Sequence, residues 1–424
     1  MLGRLSLFAA SISVLAFALV SGKDEKPKPA PKPLKATYSA SVAKILNDHC
    51  VECHRPGEVA PFSLIGYDNA KKWATMAATV TASGQMPPWK AEHGYGEFLD
   101  ENRLTDQEKQ ALANWAKAGA PRGDGKNEPA PPKAAGEWSL GTPDIVLEMP
   151  KPFNVPAEGA DVYRMFVMKN DFKEPVWVRG MTVKPGNKSV VHHVIAFLDS
   201  TGRSLTLEQE EKDGQPGYAS FGGPGFLPSG SLGGWAPGLR TRLTPEGTAF
   251  QIRPGEKLVL QVHYHPTGKA EVDQTKVGLY TSKVPVKHEM FLRWMLNPLV
   301  NIAPGDKAQK VTWQSRVGED VKVYALMPHM HLLGKSMKAW AELPNGSVQP
   351  LIWVKDWDFN WQLNYLLKEP LSLPKGTVIK MESIYDNSSD NPFNPSNPPK
   401  RVRFGEETTD EMMLLIAAYT VDRN

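Results

Sequence analysis

Six of the ten histidines in this 424-residue chain stand in three tight groups: His192-His193, His263-Tyr264-His265 and His329-Met330-His331. Imidazole is the commonest side-chain ligand for copper, zinc and non-haem iron, so such grouping points to protein-ligated metal. The groups lie far apart in sequence, and only folding can bring them together. A seventh histidine closes Cys50-Val51-Glu52-Cys53-His54, which holds both cysteines of the chain. Cys-x-x-Cys-His is the attachment signature of c-type haem, with two thiols for the vinyl groups and an adjacent imidazole for the iron. A redox dithiol or a lone metal clip is the plainer reading. The following histidine and the preceding helical stretch favour haem.

A second axial ligand requires a soft or nitrogen donor. Met86, in Gln85-Met86-Pro87-Pro88-Trp89, is the leading candidate, because a following proline holds it in a non-helical loop. His93 is its rival, the nearby Met76 reads as helical, and a plain core methionine is the blander reading of Met86. Among the histidine groups, i and i+2 share one face of a strand, so His263/His265 and His329/His331 can each address one metal. The neighbours His192 and His193 need a bulge or a strand end to do the same. With both cysteines assigned to haem, a thiolate copper site is disfavoured. A three-histidine zinc site stays open, and a thioether ligand would tilt the choice to copper.

The elements that must position these residues fall into several units. Residues 1–22 carry Arg4, an apolar run and small residues at a cleavage position, the pattern of an export signal. This run is too short for a spanning helix, so no stable membrane insertion is expected after its removal, and the chain is expected to be periplasmic or secreted. Residues 23–36 form a Pro/Lys-rich tether, and 124–139 form a second Pro/Gly/Lys-rich linker. Between them, residues 37–123 read as a small helical unit. It has a first helix near 39–49, and Thr105 and Glu108 stand at capping-box spacing before the last. From about 140 the pattern turns to short β runs. In 257–265, Leu258, Leu260, Val262 and Tyr264 alternate against Val259, Gln261, His263 and His265. The expected fold is multidomain: a small all-α domain, then two all-β, jelly-roll-like sandwiches over 140–285 and 286–424. A net charge of +3 without a basic stripe excludes nucleic acid as a partner.

From about Asp144 onward the chain resembles the copper type II, ascorbate-dependent monooxygenases, the family of peptidylglycine α-hydroxylating and dopamine β-monooxygenases. The matching pieces are Ser189-Val190-Val191-His192-His193, Leu260-Gln261-Val262-His263-Tyr264, the stretch His329-Met330-His331-Leu332-Leu333-Gly334-Lys335, and Thr409-Asp410-Glu411-Met412. Residues 41–123 resemble class I cytochrome c. The resemblance implies two coppers, one per sandwich. His192, His193 and His263 match an electron-transferring site. His329, His331 and Met412 match the site where O2 binds and a substrate C–H bond is attacked. It implies an enzyme that hydroxylates a small organic substrate, with electrons from ascorbate or another redox protein passing through haem c held by Cys50, Cys53, His54 and Met86. His265 has no role in that pattern. Met327, Leu414 and Ile416 stand where amidating members carry Arg, Asn and Tyr, so the pocket is expected to be more apolar and a peptidylglycine substrate is disfavoured. The alternatives are a non-catalytic haem/copper electron carrier and a different haem–copper oxidoreductase.

Overall fold

The computed structural model describes residues 34–133, 136–221, 223–237, 239 and 241–422. The expected export signal lies outside the described residues, as does all but the end of the N-terminal tether. No helix among the described residues is long and apolar enough to cross a membrane.

The chain is mostly β-sheet, with its helices concentrated before residue 118. A short π-helical turn, Tyr38–Val42, runs into α1 (Ala43–His49), followed by α2 (Tyr67–Lys72), α3 (Ala74–Ala82) and α4 (Asp106–Lys117). The α4 start is a full capping box. The Thr105 hydroxyl accepts from the Glu108 amide, and the Glu108 carboxylate accepts from the Thr105 amide. Val42, Ile45, Leu46, Leu64, Leu112 and Trp115 form the core of this unit.

Two β layers pack face to face in each half of the remaining chain. In the first half, a five-stranded sheet of Tyr218–Ala219, Val162–Val167, Lys257–Tyr264, Val191–Asp199 and Gly230–Trp235 faces four strands: Ile145–Glu148, Lys276–Thr281, Val176–Lys184 and Thr248–Ile252. Leu258, Leu260, Val262 and Tyr264 lie in the shared core with Val178, Ile252, Val277 and Leu279, while the alternate residues Val259, Gln261 and His263 are buried too, on the opposite face. In the second half, the strands His288–Leu296, Leu414–Val421, Val321–His329 and Tyr365–Leu373 face Gln309–Arg316, Val378–Tyr385, Gly334–Glu342 and Val348–Val354. The halves are not independent. Parallel pairing of His288 and Glu289 with Thr248 and Ala249 fuses four strands of each into one eight-stranded sheet.

Two departures from the sequence reading concern the helical unit. First, residues 121–133 do not hang free. The Tyr38 and Ser39 amides donate to the Pro121 and Arg122 carbonyls, Asn47 to those of Pro129 and Ala130, and the buried Arg55 to those of Pro132 and Lys133. A Pro-rich stretch has few internal hydrogen bonds, and here its carbonyls are satisfied by the helical unit instead. Second, the unit does not end cleanly within itself. Residues 89–99 leave it and pack on the second β half, where Ala91 is buried in the core with Trp89 and Phe98 against it.

Candidate metal centres

His192, His193 and His263 come together. The strand Val191–Asp199 breaks register against Lys257–Tyr264 between Val191 and His193, and this bulge turns both neighbours toward one point. His193 lies directly across from His263. Their Nδ1 atoms form a nearly equilateral triangle: 3.2 Å for His192–His193, 3.2 Å for His192–His263 and 3.3 Å for His193–His263. Three ligand nitrogens at metal bonds of about 2.0–2.1 Å and near-tetrahedral angles are separated by about 3.3 Å, so the triangle has the span of a metal-binding face. These are the three residues whose ligand atoms converge as a candidate metal group among the described residues.

The tautomer is set from outside. Asp161 Oδ2 lies 2.7 Å from His263 Nε2, so the Nε2–H donates to the carboxylate and the Nδ1 lone pair is free for a metal. The other oxygen of Asp161 takes His265 Nδ1–H, also at 2.7 Å. His265 is therefore a partner of Asp161 just past the strand end, and its exposed ring stands outside the triangle. Burial pushes the Asp161 carboxyl up, but hydrogen bonds from His265 and His263 outweigh it and hold the group below its ordinary value. Tyr163 stacks on His263 with ring centroids 4.2 Å apart and planes 10° apart. His263 is buried and His192 exposed, so the triangle opens to solvent on the His192 side. Burial lowers all three imidazoles, His263 to about 4 and His193 well below its usual value. At neutral pH they are unprotonated and could serve as ligands.

His329 and His331 also meet, with ring centroids 5.1 Å apart and planes nearly perpendicular. Each has its Nδ1 side occupied. His329 Nδ1–H donates to Gln362 Oε1 at 2.5 Å, and Gln362 is itself oriented by donating to the Phe359 carbonyl. His331 Nδ1–H donates to the Asp410 carbonyl at 3.1 Å. Each Nε2 is thereby left as the unprotonated nitrogen. Burial lowers His329 to about 3, helped by His331, and lowers His331 as well.

Met412 lies just before the final strand, half-buried, while its neighbour Met413 sits in the core. Leu414, two residues on, lies directly across from His329. Glu411 fastens this segment to the second histidine pair. Its carboxylate is fully buried and accepts the amides of His331 at 2.9 Å, Leu333 at 2.6 Å and Met412 at 3.2 Å. Burial raises Glu411 to about 8, against the pull of those N–H donors. The Met412 carbonyl accepts from Tyr385 at 2.8 Å. Trp357 closes the turn by donating its indole N–H to the His331 carbonyl, and a Cβ on Gly334 would meet that indole at 2.8 Å. Pro328 and Leu415 are the next cross-strand pair after His329–Leu414, and Met327 and Ile416 the one after that, so the strand neighbours are apolar.

Burial, with the neighbouring His263 and His192, is what lowers His193, and burial with Asp161 raises Tyr163, while His329 and the Glu406–Glu407 pair contribute less.

In the helical unit, Cys50 follows the end of α1 and the amides of Cys53 and His54 fold back on its carbonyl. Both cysteines stand as thiols, and burial pushes Cys50 up to about 12. His54 Nδ1–H donates to the Phe62 carbonyl at 3.3 Å, which leaves Nε2 for an axial bond. Phe62 lies against the His54 ring with centroids 4.5 Å apart and stacks on Trp73 at 3.9 Å, so half-buried aromatic rings border the motif. Met86 is half-buried, its amide on the Val80 carbonyl. His93 is exposed and bonded to Glu101. The indole N–H of Trp89, three residues past Met86, is buried without an acceptor. The chemistry of this donor set fits a covalent haem: two thiols and an imidazole whose Nδ1 is already engaged.

Asp161, Tyr163, Gln362 and Glu411 were not legible as site residues. Asp161 is 102 positions from His263 and has no local motif. Glu411 stood beside Met412 in a matched stretch, and its acidic character at a buried position was the missed signal.

No family model matches the chain, and no curated protein matches it. Solved structures give only slight likenesses. The major capsid protein P2 from Bacteriophage PM2 is 8% identical at a TM-score of 0.28, covering 66% of this chain and 98% of that one. PNGF-II is 8% identical at 0.25, covering 76% and 71%. The VP2 subviral particle protein of infectious bursal disease virus is 8% identical at 0.18, covering 66% and 81%. At such scores the likeness assigns neither fold nor function.

Proposed function

We propose that this chain is an exported copper-dependent monooxygenase that hydroxylates a C–H bond of a small, largely apolar organic substrate with O2, its electrons relayed through haem c in the helical unit. The observation that carries this reading is the pairing of two imidazole centres with different surroundings. One is a three-nitrogen triangle of His192, His193 and His263 open to solvent. The other is the His329/His331 pair with Met412 on the adjoining segment and Met327, Leu414 and Ile416 around it. A Met412 thioether joining the two imidazoles would suit Cu(I), the state that reacts with O2. When bound, copper supplies one-electron redox chemistry and O2 activation, and haem c supplies stored single electrons.

The residues themselves do the rest. Asp161, Gln362 and the Asp410 carbonyl hold His263, His329 and His331 in tautomers that leave one nitrogen for a metal, which removes a reorganisation cost on binding. The apolar residues beside His329 admit an uncharged substrate and keep water from competing for the reactive position. Cys50, Cys53, His54 and Met86 would hold the haem. An external one-electron donor, ascorbate or a redox protein, completes the cycle.

The test is turnover under isotopically labelled dioxygen with a panel of small apolar substrates, the chain being loaded with copper and haem. One labelled oxygen atom in the product is expected. Oxidised product without label excludes monooxygenation, and haem oxidation without any product favours a plain electron carrier.

A further inference from the structure

Residues 89–99 join the haem-motif unit to the second histidine pair by a route that neither reading of the sequence assigns. The strands Val348–Val354 and Tyr365–Leu373 each end their sheet and would present unpaired backbone groups there. The 89–99 segment covers both. Ala91 bridges Val354 and Phe98 bridges Leu367, each antiparallel. The Glu92 amide donates to the Trp353 carbonyl at 2.7 Å, the Leu99 amide to Leu366 at 2.8 Å, and the Lys368 amide to Glu97 at 2.9 Å.

The loop between those two strands, residues 355–364, touches the histidine pair. It carries Trp357 on the His331 carbonyl, Phe359 edge-on to His331 at 6.1 Å, and Gln362 on His329. The segment grips this loop at both ends. Trp89 meets Tyr365 edge-on with centroids 5.1 Å apart, and Lys90, only 8% exposed, reaches Asp358 at 3.7 Å. Asp358 in turn accepts the Asn360 amide and organises the turn that leads to Gln362.

We propose that residues 89–99 are a positioning strap: by clamping 355–364 through Trp89–Tyr365 and Lys90–Asp358, they hold Gln362 and Phe359 in place and so set the metal affinity and geometry of the His329/His331 centre. Trp89 and Lys90 act through the loop and are positioning residues. The strap begins three residues after Met86, so the haem-motif unit is built into the second centre rather than tethered near it. The proposal rests on the reading of His329/His331 as a copper site.

The test uses the full chain with its haem, stripped of copper by a chelator. Cu(II) binding and its paramagnetic spectrum are read in a His193→Ala background, where the second centre alone reports, and in a His329→Ala background, where the triangle reports. Trp89→Ala and Lys90→Met are expected to weaken Cu(II) at the second centre by about tenfold or more and to change its hyperfine pattern, as loss of an outer support does. Trp89→Phe and Lys90→Arg should restore both. The triangle should change less than twofold. Hydrogen exchange over 357–362 should quicken in the Ala and Met variants, whether or not copper is present. Unchanged affinity with unchanged exchange overturns the strap, and so does equal weakening of both centres. If the His193→Ala chain takes no copper at the second centre, the copper reading fails, while quickened exchange would still uphold the clamp itself. Should Trp89→Ala fail to fold, Lys90→Met carries the same comparison.

Discussion

Asp161 and His263 form the contact that decides what the first centre can do. The carboxylate sits 2.7 Å from Nε2 and leaves Nδ1 as the nitrogen facing His192 and His193. Without Asp161 the ring can turn its N–H inward and block the triangle. Asp161→Ala should therefore weaken copper at this centre by about 10–100-fold, with little effect on the His329/His331 centre. Competition titration against a chromophoric chelator checks it. His265→Ala should cost much less, because its ring touches only the far oxygen of the same carboxylate.

Glu411 is a buried clamp rather than a ligand. Glu411→Ala would orphan three amides, those of His331, Leu333 and Met412, at about 1–3 kcal/mol each. A fall in unfolding free energy of about 3 kcal/mol or more is expected, together with loss of metal at the second centre. Urea denaturation with and without copper measures both.

The copper-free protein should lose stability in acid. His263 at about 4 and His329 at about 3 lie below the unfolded value near 6.5, so the unfolded chain binds more protons between those limits. Stability from these groups is full above about pH 6.5 and declines as pH falls toward their folded values. The loss should reach about 2 kcal/mol per such histidine by about pH 5. Denaturation of the chelated protein across this range tests the sign. Replacing His329 and His263 with apolar residues should flatten the slope.

The helical unit should take one haem per chain through Cys50 and Cys53, and Cys53→Ser should leave it bound by one thioether. Met86→Leu should keep the haem covalently attached but abolish the methionine–iron absorption band of the oxidised form. Retention of that band in Met86→Leu would assign the axial position to another residue.

Much of the site was legible because its parts are local. The Cys-x-x-Cys-His run, the capping box at Thr105 and the alternation through His263 are each written within a few residues. The need for a bulge or a strand end at His192-His193 followed from strand geometry alone, and the structure has the bulge, as a register break after Val191. What escaped were contacts closed by the fold. Asp161 reaches His263 across adjacent strands, and Gln362 reaches His329 from a loop 33 positions away. The 121–133 stretch has linker composition, yet composition does not show that Asn47 and Arg55 satisfy its carbonyls. Likewise, residues 89–99 lie inside the helical unit in sequence but complete two sheet edges elsewhere.

The account stands most directly on how many coppers the chain holds and where. Metal analysis and paramagnetic resonance of the purified, haem-loaded protein should give two copper ions per chain, both without thiolate character. His193→Ala and His329→Ala should each remove one ion and leave the other's spectrum in place. A single ion lost entirely by either substitution, or zinc retained in preference to copper at both centres, would contradict it.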